Sequence, residues 1–165
     1  MTTISEVRID ERPEKPYMGI RTQTPFKGMF AVVDRLRKEL STWLKEMGVE
    51  PAGPPFLRYH VIDMAGEMDV SYGVPVAEAM PDDGQVTADV LPAGRYASLI
   101  YMGHGLVGNK ALLGWAQDNN IAWDRWEDEK GDAFRARTET YLTDRQVEPR
   151  KTKWDIELAI KLADE

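Results

Sequence analysis

The sequence predicts an α+β fold: tandem βαββ repeats with pseudo-twofold symmetry, an antiparallel sheet, and two long helices around a central groove. Three observations predict it. Two segments carry helical periodicity, and the segments around them carry the alternating or continuous apolar runs of strands. The order strand, helix, strand, strand occurs twice, in half-repeats of about residues 1–80 and 85–165 of one 165-residue domain. Between the halves lies Met80-Pro81-Asp82-Asp83-Gly84, a turn-forming cluster without apolar periodicity. Short likenesses support a duplication: Tyr17-Met18-Gly19-Ile20 resembles Tyr96-Ala97-Ser98-Leu99, and WLKEMGV at 43–49 resembles WAQDNNI at 115–121. Each half has one helix to cover a three-stranded face. Joining the halves about a pseudo-twofold axis would enclose a groove.

In chain order, residues 6–24 read as strand, with Pro13 and Pro16 confining the first part to an edge or a bulge. Residues 29–47 are the clearest helix: Met29, Val32, Val33, Leu36, Leu40, Trp43, Leu44 and Met47 recur at three- and four-residue spacing. Gly48 is its natural stop. Residues 56–63 and 68–76 read as a hairpin around the turn at Gly66. Residues 85–91 and 94–102 read as strand split at Pro92-Ala93, and 106–119 as the second helix, weakened by Gly108 and Gly114. Residues 123–130 are charged with Trp123 and Trp126 embedded, and Gly131-Asp132 turns the chain. Residues 134–144 alternate: Phe134, Ala136, Thr138, Thr140 and Leu142 on one face, Arg135, Arg137, Glu139 and Tyr141 on the other. A polar loop leads to a last strand at 153–162, with Trp154, Ile156, Leu158, Ile160 and Leu162 alternating.

Composition narrows the function. The net charge of −7 argues against nucleic acid as a direct partner, since phosphate binding relies on Lys and Arg, and against an anionic membrane surface. There is no cysteine, so disulfide scaffolds and thiolate metal sites are excluded. The two histidines, His60 and His104, lack metal-site spacing, so no metal is expected, and no serine sits in a nucleophile elbow. The polar N-terminus lacks a signal peptide's apolar region and no apolar run reaches membrane-spanning length, so a cytoplasmic protein is expected. Gly103-His104-Gly105-Leu106-Val107-Gly108 matches the dinucleotide fingerprint GxGxxG in form. The charged, hairpin-like stretch after it is not a Rossmann unit, so the glycines are read as turning the chain and no cofactor is expected.

Glu139 is the informative charge. A carboxylate in mid-strand two residues from a tyrosine is explained either by a solvated face, paired to Arg137, or by a site that binds a cation or moves a proton. The aromatics favour attention to the second reading. Tyr59, Tyr72, Tyr101, Trp115, Trp126, Tyr141 and Trp154 fall on elements expected to face the groove or its rim, where ring faces attract cations. His104 is a candidate hydrogen-bond donor at the pocket edge.

Several stretches, in order, resemble the GyrI-like (gyrase-inhibitor-like) effector-binding domain found in AraC- and MerR-type multidrug regulators and also as a standalone protein. They are Pro54-Pro55-Phe56-Leu57-Arg58-Tyr59; Tyr72-Gly73-Val74-Pro75-Val76; Leu91-Pro92-Ala93-Gly94-Arg95-Tyr96-Ala97; Gly103 with the helix to Trp115; and Glu139-Thr140-Tyr141-Leu142-Thr143-Asp144 with Trp154. The resemblance implies a tandem βαββ fold whose buried glutamate, here Glu139, meets cationic aromatic ligands. The family's pocket aromatics fall on Phe56 or Tyr59, on Trp115 and on Trp154. Arg145 stands where the family has proline, Gly105 where an aromatic is common, and Arg137 could neutralise the glutamate. The expected function is binding of a hydrophobic, cationic or electrophilic aromatic molecule. The alternatives are a hydrolase using Glu139 as general base with a tyrosine such as Tyr59, and a gyrase-inhibitor-like protein whose partner is DNA gyrase or a regulator.

Overall fold

In a computed structural model that describes residues 1–164, the chain forms eleven strands and two helices. They are β1 (Thr3–Ile4), β2 (Arg8–Arg12), β3 (Lys15–Pro25), α1 (Met29–Met47), β4 (Phe56–Ile62), β5 (Glu67–Pro75), β6 (Thr87–Leu91), β7 (Gly94–Met102), α2 (Gly105–Asp118), β8 (Arg125–Asp128), β9 (Gly131–Phe134), β10 (Arg137–Tyr141) and β11 (Ile156–Lys161). All strands join one antiparallel sheet whose central order is β7-β11-β10-β4-β5-β3. The βαββ halves are therefore β3-α1-β4-β5 and β7-α2-β10-β11. They meet where β4 pairs with β10, with Leu57 opposite Glu139 and Arg58 opposite Thr138.

The α1 stripe that reaches full burial is Met29, Val33, Leu36, Leu40 and Leu44. Val32 and Trp43 sit half-buried beside it, and Met47 is exposed in the last turn. Gly48, at φ +66°, ends the helix, and the Val49 N–H closes back on the Leu44 carbonyl at 2.9 Å. On the covered face of the sheet these residues pack with Met18, Ile20, Leu57, Val70, Leu99, Tyr101, Leu158 and Ile160, together with Leu112 of α2.

The glycines of the GxGxxG stretch have a packing role. Gly103 adopts φ +117° at the turn into α2. A Cβ on Gly105 would stand 2.9 Å from the Tyr101 hydroxyl, and one on Gly108 would stand 2.8 Å from the Tyr101 ring. The helix lies directly on that tyrosine because these two positions carry no side chain.

Two strands differ from the sequence expectation. The run 134–144 is not one strand: β9 ends at Phe134, and β10 starts at Arg137. Phe134 joins the large core cluster, whereas Ala136 packs in a separate small cluster with Tyr96 and Ala159. The cause lies in the partner strand. β4 pairs with β9 at Val61 and Ile62 and with β10 at Phe56 to Arg58, and the register shifts between Tyr59 and Val61. Before β11, Lys151–Lys153 forms a short 3-10 turn instead of strand, which shortens the last strand to Ile156–Lys161.

Candidate functional site

Strand parity places Arg137, Glu139 and Tyr141 on the helix-covered face of β10. Glu139 is 4% exposed. Its carboxylate accepts a hydrogen bond from the Tyr141 hydroxyl at 2.9 Å and a longer one from the Tyr59 hydroxyl at 3.3 Å. The Lys151 ammonium stands 3.9 Å from the same carboxylate. Burial, and after it the Glu139 charge, pushes the pKa values of both tyrosines well above 10, so they are neutral donors. Arg137 does not pair with the glutamate. It donates to Asn109 Oδ1 of α2 at 2.9 Å, and its guanidinium lies 4.7 Å from the Phe134 ring centre.

Beside this cluster is a cavity of about 480 Å³, mostly apolar in its walls. Phe30 and Val33 come from α1, Tyr72 from β5, Tyr141 from the end of β10, and Trp154 from the turn before β11. Phe30 and Leu142 are well exposed members of the wall, and Trp154 meets Tyr141 edge-on at 5.9 Å. Lys151 also lines the cavity. Its Nζ lies 3.6 Å from the Phe30 ring centre and 5.8 Å from that of Tyr141. Arg145 covers Trp154 at 5.7 Å. Glu139 stands behind Tyr141 and Lys151, outside the lining itself.

The expected site residues divide. Glu139, Tyr59 and Tyr141 form one hydrogen-bonded cluster, and Tyr141 and Trp154 line the cavity. Tyr101 is buried beneath α2, and the Glu139 charge adds to burial in raising its pKa. Trp115 is half-buried on α2 against the core and does not line the cavity. His104 is exposed at the start of α2, where its backbone carbonyl accepts the first helical N–H groups. Phe56 packs edge-on against Tyr17 at 4.9 Å. Trp126 is exposed on β8 beneath Arg135. Neither Phe56 nor Trp126 touches the cavity. Phe30, Lys151 and Arg145 were not singled out from the sequence as ligand contacts. Phe30 gave one usable signal, a large aromatic outside the apolar stripe of an amphipathic helix.

The second large hollow, about 500 Å³, includes Arg21, Arg58, His60, Asp69, Trp126 and Arg135. There His60 shares a 2.7 Å hydrogen bond with Ser71 Oγ, and its pKa is pushed down to about 4, by burial first and then by Arg58 and Arg21. The unfolded chain takes up this proton near pH 6.5, so between about 6.5 and 4 the unfolded state holds more protons and stability is lost as the pH is lowered. The loss at the acid end is on the order of 3 kcal/mol. Urea unfolding across that range should show the decline in the wild type and a flatter profile in His60→Gln. Superimposable profiles would contradict a neutral buried His60.

Among the described residues, no group of three His, Cys, Asp or Glu side chains could hold a metal ion. No helix among them is long and apolar enough to cross a membrane.

The family model of the GyrI-like small molecule binding domain matches residues 5–163, and the chain belongs to that family. No protein with a curated description matches. Solved structures share the fold. The C-terminal domain of EcmrR superposes with a TM-score of 0.72 at 18% identity, covering 97% of this chain and 98% of that one. In the EcmrR–DNA complex the match spans 58% of the EcmrR chain and 97% of this one, with a TM-score of 0.73 at 18% identity. SAV2435 bound to tetraphenylphosphonium matches with a TM-score of 0.65 at 9% identity over 96% of this chain and 94% of that one. A structure described as a hydrolase from Listeria innocua matches with a TM-score of 0.63 at 13% identity, over 96% and 92%.

Proposed function

We propose that the protein binds a hydrophobic aromatic small molecule in the cavity between α1 and the Tyr141–Trp154 wall, with Glu139 as the buried anchor beneath it. The observation that carries this reading is the carboxylate at 4% exposure, held by two tyrosine hydroxyls next to a ring-lined cavity. A cavity of about 480 Å³ accommodates a drug-sized arene. Electrophilic or cationic character in the ligand would engage the carboxylate, and a cationic one has first to displace the Lys151 ammonium. Tetraphenylphosphonium, the compound bound in the SAV2435 structure, is a ready cationic probe of the site in this chain. Calorimetric titration with a panel of polycyclic arenes should yield saturable heats that Trp154→Ala weakens at least tenfold. No heat from any of them would sink the reading.

Hydrolysis is the second reading, favoured by the tyrosine–glutamate–tyrosine cluster. Glu139 would act as general base on water, and neutral Tyr59 or Tyr141 would donate to the opening or leaving group. Both carboxylate oxygens are already hydrogen-bonded, which leaves a water less room than a binding anchor needs. Turnover of an epoxide or activated ester that persists in Glu139→Gln would reject it.

A further inference from the structure

The positions where this cavity would hold a ligand's cation are filled by the chain itself. Lys151 Nζ lies 3.6 Å above Phe30, within 5.8 Å of Tyr141 and 3.9 Å from the Glu139 carboxylate. That is a cation seated between ring faces with a carboxylate behind it, the arrangement that recognises an organic ammonium. Here the ammonium comes from residue 151, in the turn just before Trp154. The other large ring of the wall, Trp154, is covered in the same way by Arg145, which also reaches Asp34 at 3.7 Å.

We propose that Lys151, assisted by Arg145, is the specificity-determining cation of the site, and that the wild-type cavity selects uncharged or anionic arenes over cationic ones. This rests on the cavity being a ligand site. A ligand ammonium entering beside Glu139 puts two positive charges against one carboxylate in a partly desolvated space, which raises the cost of the pair. The alternative, moving Lys151 out, gives up its contacts with Phe30, Tyr141 and Glu139. An uncharged arene meets neither cost. It can lie on the apolar walls and place an acceptor near the Lys151 ammonium. The charges lining the cavity leave no carboxylate over for a ligand cation: Arg37 and Arg145 balance Asp34 and Asp144, and the charge of Glu139 is already met by Lys151. Desolvation lowers the Lys151 pKa, and Glu139 opposes that, consistent with an ammonium held by this one carboxylate.

The test uses three naphthalenes of matched shape: naphthylmethyl-trimethylammonium, its uncharged tert-butyl isostere, and naphthylacetate. Each is titrated calorimetrically into wild type, Lys151→Met and Lys151→Gln. The wild type should bind the isostere and naphthylacetate at least tenfold more tightly than the ammonium. In both variants the ammonium should gain at least tenfold relative to the isostere, and naphthylacetate should lose affinity relative to it. Lys151 is half-exposed, so both variants should fold, and thermal unfolding checks this. Equal wild-type affinity for the ammonium and its isostere, or no gain for the ammonium in either variant, overturns the inference while leaving the ligand site standing. Absence of binding by all three probes in all three proteins overturns both together.

Discussion

Replacing Glu139 by alanine is expected to destabilise the protein by about 2–5 kcal/mol, and replacing it by glutamine by less than half as much. The alanine removes the acceptor of two tyrosine hydroxyls, at 2.9 and 3.3 Å, inside the core. A buried donor left without a partner costs about 1–3 kcal/mol, and the Tyr59 bond is the longer and weaker of the two. The space left by the side chain adds to the loss. Lys151 contributes little to the sum, because its side chain is half-exposed and keeps its contact with the Phe30 ring when Glu139 is gone. Glutamine keeps an acceptor for one hydroxyl and offers its amide to the other oxygen. Urea denaturation of the two variants separates these cases. Equal losses would mean that the hydroxyls find water or another partner, and that Glu139 does not organise the cluster.

A loss of about 3–5 kcal/mol is expected for Arg58→Ala, by a different route. Arg58 is buried, and its guanidinium donates to the Val90 carbonyl at 2.9 Å, the Arg135 carbonyl at 2.8 Å and the Tyr17 hydroxyl at 3.1 Å. Tyr17 in turn donates to Asp89 at 3.3 Å. One side chain thus ties β4 to β3, to β6 and to the break between β9 and β10. Alanine leaves these acceptors unpaired together, and partners of a shared network do not fail independently. The break at residues 135–136 sets where β10 begins, so the loss should extend to the site. Hydrogen exchange should show faster exchange in β10 for Arg58→Ala than for a core truncation of similar cost such as Leu40→Ala. Identical exchange patterns would reject the link between the far face and Glu139.

The two helices and the repeated βαββ order were legible in the sequence, because each rests on a local period; the burial of the face that carries Glu139 was not, since the alternation fits a solvated face equally and only the family resemblance implied a buried glutamate. The shared face of Glu139 and Tyr141 follows from period two alone. The same parity argument separates Phe56 from Tyr59, which are three residues apart on β4, and applied strictly it would have removed Phe56 from the pocket. The break in 134–144 was not legible, since Phe134 and Ala136 continue the alternation in the sequence. The register shift in β4 and the guanidinium of Arg58 impose it from about 75 residues away. Lys151 was hidden for a related reason. In a polar loop a lysine looks solvated, and only the tertiary fold brings it over Phe30 of α1.

Anomalous diffraction from a crystal soaked with an uncharged bromonaphthalene tests the central claim most directly. A bromine peak inside the cavity, among Phe30, Tyr72, Tyr141 and Trp154, is the predicted result. A peak in the hollow beside His60, or none in the cavity at full soak, would contradict it.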